Sequence, residues 1–253
     1  MKKAPPFQIV LMMACVGALM FVSWLTVSSP ENKEENKAQT TLIYFLEAVG
    51  KVPVEKLGKE LHPTVRRQYN PETLKATLAE LGLDKPADLS DFSQGEQRFE
   101  PRQWIWQFKN HGVPAAAILQ YPEEVKISRR WHLRSYCEPQ KDMAQATREL
   151  LELLKSQPRS DKADEEQNSP DRLSLGAEYE KLSADKGVLA LAQLAEPEVS
   201  HQWNAKTTAG WRSEIRGNTP AGTQTLSIGW RVVPGKALHC AYEINSYRLG
   251  GTP

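Results

Sequence analysis

The sequence predicts an α+β protein: one N-terminal transmembrane helix, then two tandem repeats, each with helices first and an antiparallel sheet after them. Three observations predict it. An uncharged apolar run occupies residues 5–30. The stretch LHPTVRRQYNPET at 61–73 is echoed by AEPEVSHQWNAKT at 195–207. After that stretch, in both halves, the apolar period changes from helical to two.

Lys2 and Lys3 precede PFQIVLMMACVGALMFVSWLTVSS, and no charge falls between Pro5 and Pro30. A hydrocarbon core of roughly 30 Å takes about 20 apolar residues as a helix. The apolar region of a cleaved signal peptide is shorter, roughly 7–15 residues. Residues 1–30 therefore read as a signal anchor, with cleavage after Val27-Ser28-Ser29 as the alternative. Cys15 reads as a residue inside that helix. The lysines before the span and the slightly acidic ENKEENK after it place the N-terminus in the cytoplasm and the bulk outside. The expected setting is a bacterial inner membrane, crossed once, with a periplasmic bulk. Residues 31–40 read as a polar tether.

SQPRSDKADEEQNSPD, within 156–172, is polar and nearly free of apolar residues, so it reads as a disordered linker. It divides the chain into a first repeat with a trailing helix, 40–155, and a shorter second repeat, 173–253. Between the echoed stretches Pro63, Val65, Gln68, Asn70 and Thr73 correspond to Pro197, Val199, Gln202, Asn204 and Thr207. Tyr69 corresponds to Trp203, and upstream Phe45, Ala48, Val54 and Leu57 correspond to Tyr179, Leu182, Val188 and Leu191.

The elements of the first repeat follow in order. TLIYFLEAVGKVPVEKLGKEL has apolar residues at helical spacing on both sides of Gly50. Pro63 suits the first turn of a short helix. Asn70 caps a helix that opens on Pro71 and stops at a left-handed Gly82. QWIWQFK then alternates, with Trp104, Trp106 and Phe108 on one face. VPAAAILQY reads as a central strand. EEVKISRRWHLRSYC alternates again, with Val125, Ile127, Trp131 and Leu133 on one face and Lys126, Arg130, His132 and Arg134 on the other. KDMAQATRELLELLK is the trailing helix.

The second repeat reads the same way. Pro197 suits a helix start, Asn204 caps AKTTAGWRSEIR as a helix, and Gly217 stops it. TQTLSIGWRVV and LHCAYEINSY are strands joined by a PGKA turn, with YEINSY matching the earlier WHLRSY. The distance from Gly217 to that motif is shorter than in the first repeat, which predicts one fewer hairpin.

This order, with the run FLEAV…LHPTVRRQYNPETLKATLAELG, resembles the cystatin-like or nuclear transport factor 2-like (SnoaL-like) superfamily. The resemblance covers both repeats. It implies helices lying in the hollow of a strongly curved sheet. It also implies, for isomerase and dehydratase members, an Asp or His base working with a Tyr or His donor inside the hollow.

Chemistry is sparsely signalled. With 32 Lys and Arg against 31 Asp and Glu, no global basic field exists to hold nucleic acid. The five histidines include no pair at i,i+4 spacing, and there is no HExxH, CxxC, GxSxG or phosphate-binding loop. No catalytic residue, cofactor or metal site is expected. The candidate partner-binding face is Lys126, Arg130, His132 and Arg134, which reads first as a solvated sheet face and otherwise as a docking surface for an acidic partner, a phospholipid head group or an anionic glycan. The candidate pocket lining is Trp104, Trp106 and Phe108, which reads first as core. Cys137 and Cys240 read as buried thiols, with a disulfide joining the repeats as the alternative.

The expected function is a non-catalytic, membrane-anchored scaffold or partner-binding protein of the bacterial cell envelope. It is held to the membrane through residues 5–30 and engages another envelope protein. The alternatives are a small-molecule or lipid binder using the hollow of the first repeat, and a pocket enzyme of the isomerase or dehydratase type.

Overall fold

A computed structural model describes residues 30–93, 95–99, 101–123, 130–156, 172–203 and 211–252. The predicted anchor and most of the predicted linker lie outside them. Among the described residues no helix is long and apolar enough to cross a membrane.

The chain is mixed helix and sheet, as expected. It opens with α1, Pro30–Ala48, so the segment read as a tether is helical. Leu42, Phe45, Leu46 and Val49 fall at helical spacing and are buried together. The charged first turns also dock: Glu34 pairs with Arg102 at 3.0 Å, and Glu35 accepts from the Gly95 amide at 3.1 Å. Short helices α2 (Val54–Leu57) and α3 (Pro63–Arg66) follow. Next comes α4 (Pro71–Glu80), where Asn70 and Thr73 form a reciprocal capping box. Gly82 takes φ +66°, the left-handed stop that the sequence predicts.

The first sheet pairs β1 (Leu89–Ser90) and β2 (Glu96–Arg98) with opposite ends of β3 (Gln103–Asn110). Together they make one interrupted edge. A turn at His111-Gly112, both at positive φ, returns the chain as β4 (Val113–Gln120). Then β5 (His132–Cys137) forms the other edge. Both faces of this sheet are covered. Trp104, Trp106, Phe108, Ala115, Ala117 and Leu119 meet α1 and α4 in one core. Ile105, Ala116 and Ile118 point into a second core.

That second core belongs mainly to the C-terminal half. α5, Pro139–Ser156, buries Met143, Ala146, Leu150 and Leu154 in it, touching β4 on one side and the second sheet on the other. The trailing helix is thus the layer between the sheets. The second sheet runs β6 (Leu173–Ser174), β10 (Cys240–Thr252), β9 (Gly222–Pro234), β8 (Arg212–Thr219), β7 (Glu198–Gln202). Helices α6 (Ala177–Ala184) and α7 (Lys186–Ala192) precede its meander.

Here the echoed stretches part. Pro63 begins a helix, but the residues after Pro197 form β7. Arg212, Ser213, Glu214, Ile215 and Arg216, expected as the end of a helix, are strand β8, and Gly217 lies inside that strand. Ser213 and Ile215 alternate inward onto the second core, so tertiary burial selects period two where the caps suggested a helix. Asn204 lies outside the described residues. The second sheet does not lack a hairpin: β7, β8, β9 and β10 are a complete antiparallel meander.

Candidate functional site: an arginine-lined cleft between the two sheets

The halves meet where β5 ends. The pairing of β4 with β5 steps from Leu119↔Leu133 to Ile118↔Ser135, leaving Arg134 as the extra residue of a β-bulge. The bulge reverses the alternation that the sequence suggests. Leu133 and Tyr136 both face the first core, and Cys137 turns to the second. There it forms a disulfide with Cys240, their Cα atoms 5.5 Å apart. This replaces the expectation of two buried thiols.

Backbone bonds extend the join. The Tyr136 amide donates to the Leu238 carbonyl at 2.8 Å. Arg134 donates through Nη1 to the Ala237 carbonyl (2.8 Å) and through Nη2 to the Gly235 carbonyl (3.1 Å). Arg98 reaches the Val232 carbonyl at 2.6 Å. Gly235 is required at this turn: a Cβ there would stand 2.8 Å from the backbone carbon of Cys240. Deeper in, Trp211 donates to Gln107 at 3.0 Å and Thr147 to Ser213 at 2.9 Å.

A cleft of about 540 Å³ opens over this join. One wall is Arg98, Gln103, Gln120 and Arg134, the first sheet's contribution, with His62 and Thr64 from the start of α3. The other wall is Arg231, Val233 and Pro234 at the end of β9. Glu96 pairs with Arg98 at 3.1 Å and Glu243 with Arg231 at 2.6 Å. Among the described residues Arg134 donates its hydrogen bonds only to carbonyls and pairs with no carboxylate. Burial pushes the guanidinium pKa of both Arg98 and Arg134 down.

His62 is 6% exposed. Its Nδ1 accepts from the Thr64 amide and sits 2.8 Å from the Thr64 hydroxyl, while Nε2 is buried with no partner. Burial first, then the charges of Arg134 and His132, push its pKa down to about 4, so the ring is neutral near pH 7. The arrangement is a set of hydrogen-bond donors with excess positive charge.

The predicted site residues are scattered relative to this cleft. Lys126 lies outside the described residues. Arg130 is exposed and pairs with Glu60 at 3.3 Å. His132 is buried, its pKa pushed down by burial and then by Arg130. Only Arg134 lines the cleft. Within β5, His132 is buried and Arg134 sits at the bulge, so these two do not share one solvated face. Trp104, Trp106 and Phe108 are buried in the first core, with Trp106 and Phe108 fully covered. The polar pair within that core is Asn110 donating to the Tyr136 hydroxyl at 3.2 Å. Burial pushes the Tyr136 pKa up to about 12.

Arg98, Arg231 and His62 escape sequence reasoning. Each is an ordinary polar position of its own strand or helix cap, and only the join brings them together. Comparison with protein-family models, curated proteins and solved structures returns no match.

Proposed function

We propose that this protein is a membrane-anchored, extracytoplasmic scaffold or partner-binding protein of the bacterial cell envelope, and not an enzyme. The observation that carries the reading is the filled first core. Trp106 and Phe108 rise from the sheet and pack with Leu42, Phe45 and Leu46 of α1, the space that a ligand or a catalytic pair would occupy in a hollow of the cystatin-like or nuclear transport factor 2-like kind. The Cys137–Cys240 disulfide supports an oxidising compartment outside the cytoplasm. The uncharged run 5–30 supports the anchor. Helices preceding an antiparallel meander in both halves support a duplicated unit of that superfamily.

The test is crosslinking of the tagged, membrane-bound protein in its own cells, followed by detergent extraction and mass spectrometry. A reproducible envelope partner is the expected result. Recovery of the chain alone, together with a small molecule held by the purified protein, would replace the scaffold with a ligand carrier.

A further inference from the structure

We propose that the cleft between the two sheets binds a carboxylate of an acidic peptide segment presented by a partner protein. The inference rests on the partner-binding reading and names the chemistry that such a partner must carry.

Charge decides the ligand. Arg98, Arg134 and Arg231 line the cleft. Glu96 and Glu243 neutralise two of them, which leaves one positive charge, that of Arg134, without a carboxylate among the described residues. A desolvated cation is costly unless paired, and a single carboxylate matches it where a dianion would bring surplus charge. Donor capacity agrees. Arg134 uses one N–H on each of Nη1 and Nη2 for the carbonyls of Ala237 and Gly235, so its Nε–H and two further N–H groups stay available. Charge-assisted bonds of this kind are the stronger ones, and guanidinium forks suit carboxylates.

The rest of the lining suits a peptide around that carboxylate. Gln103 and Gln120 hold each other by one long bond of 3.4 Å, so their amides can exchange it for a peptide N–H and carbonyl. Pro101, Val233 and Pro234 give an apolar wall for side-chain methylenes. The unpartnered Nε2 of buried His62 is a further polar atom whose bonding a bound acid would complete. The Arg231 side chain, 48% exposed, stands at the mouth.

The experiment uses the purified full-length protein in mild detergent with ¹³C-labelled histidine. The probes are an acetylated, amidated oligoglutamate peptide, its oligoglutamine counterpart, inorganic phosphate, and phosphatidylglycerol vesicles. Oligoglutamate is expected to bind saturably and to move the His62 ring signals, and oligoglutamine to do neither. Arg134→Gln should weaken binding by about tenfold or more, and Arg134→Lys by less. Because Arg134 also holds the join, Arg231→Gln serves as a second variant, expected to weaken binding while leaving the unfolding midpoint in place. Unmoved His62 signals under oligoglutamate would overturn the proposal. Tighter binding of phosphate or vesicles would overturn it in favour of a phosphate site. A cellular partner recovered by crosslinking alongside a silent cleft refutes this inference and leaves the scaffold reading standing. Peptide binding with no cellular partner does the reverse.

Discussion

At the scale of single residues, His62 and Asp142 are buried groups whose titrations pull stability in opposite directions. The His62 pKa falls from 6.5 to about 4 on folding, through burial and the charges of Arg134 and His132. The unfolded chain then binds more protons between those values, so stability is full above pH 6.5 and is lost as pH falls through 4. Asp142 runs the other way. Burial raises its pKa from 3.8 to about 6, although Arg172 at 3.5 Å pulls it down. Its contribution is present below pH 3.8 and is lost as pH rises through 6. Between pH 4 and 6 the two slopes offset each other. Asp142→Asn is therefore expected to steepen the acid-side loss of the thermal midpoint, and His62→Gln to flatten it. Thermal unfolding across pH 4 to 7 reads both; superimposable curves for the two variants would refute this assignment.

At the scale of elements, α5 holds the halves together through the carboxylates of Asp142 and Glu149 as well as its apolar stripe. Glu149 Oε2 accepts from the Arg172 and Leu173 amides, both at 2.9 Å, and so pins the start of β6. Glu149→Ala leaves two amides short of an acceptor, with an expected loss of about 1–3 kcal/mol. Hydrogen exchange at those two amides should accelerate more than at Tyr242, whose amide bonds to Arg172 within the same sheet. Denaturant unfolding gives the energy, and unchanged exchange would remove the clamp. A second expectation concerns α4. Asn70→Ala breaks the capping box and should cost about 1 kcal/mol. The echoed Asn204 lies outside the described residues. The elements with local punctuation were the readable ones: Asn70-Pro71, Gly82, and the alternating QWIWQFK and TQTLSIGWRVV. At 212–216 the sequence offers both periods, and packing of Ile215 on Leu226 and Trp230 in one core chooses the strand.

At the scale of the whole molecule, two cores share one sheet. β3 and β4 give their aromatic and alanine face to the first core and Ile105, Ala116 and Ile118 to the second. The disulfide closes the join across a sequence separation of 103 residues. In the chain-entropy view a loop of about 100 residues is worth roughly 4–5 kcal/mol, with strain and residual structure reducing it. Cys137→Ala with Cys240→Ala is expected to lower unfolding free energy by about 2–4 kcal/mol. It should also loosen the turn that Arg134 holds. Denaturant titration in oxidised and double-variant forms tests this; equal midpoints would mean that the layered packing alone sets the join.

The sequence by itself determined the mixed helix-and-sheet class, the capped α4, and the burial of Trp104, Trp106 and Phe108. These depend on local backbone preference and on a period that repeats along one element, both of which are written in consecutive residues. Only the tertiary structure decided the β-bulge at Arg134, the turn of Cys137 toward Cys240, the seat of α5 between the sheets, and the cleft that gathers His62, Arg98, Arg134 and Arg231. Each of those is a relation between residues far apart in the chain, and its energy arises from contacts that form only when the two sheets close on one another.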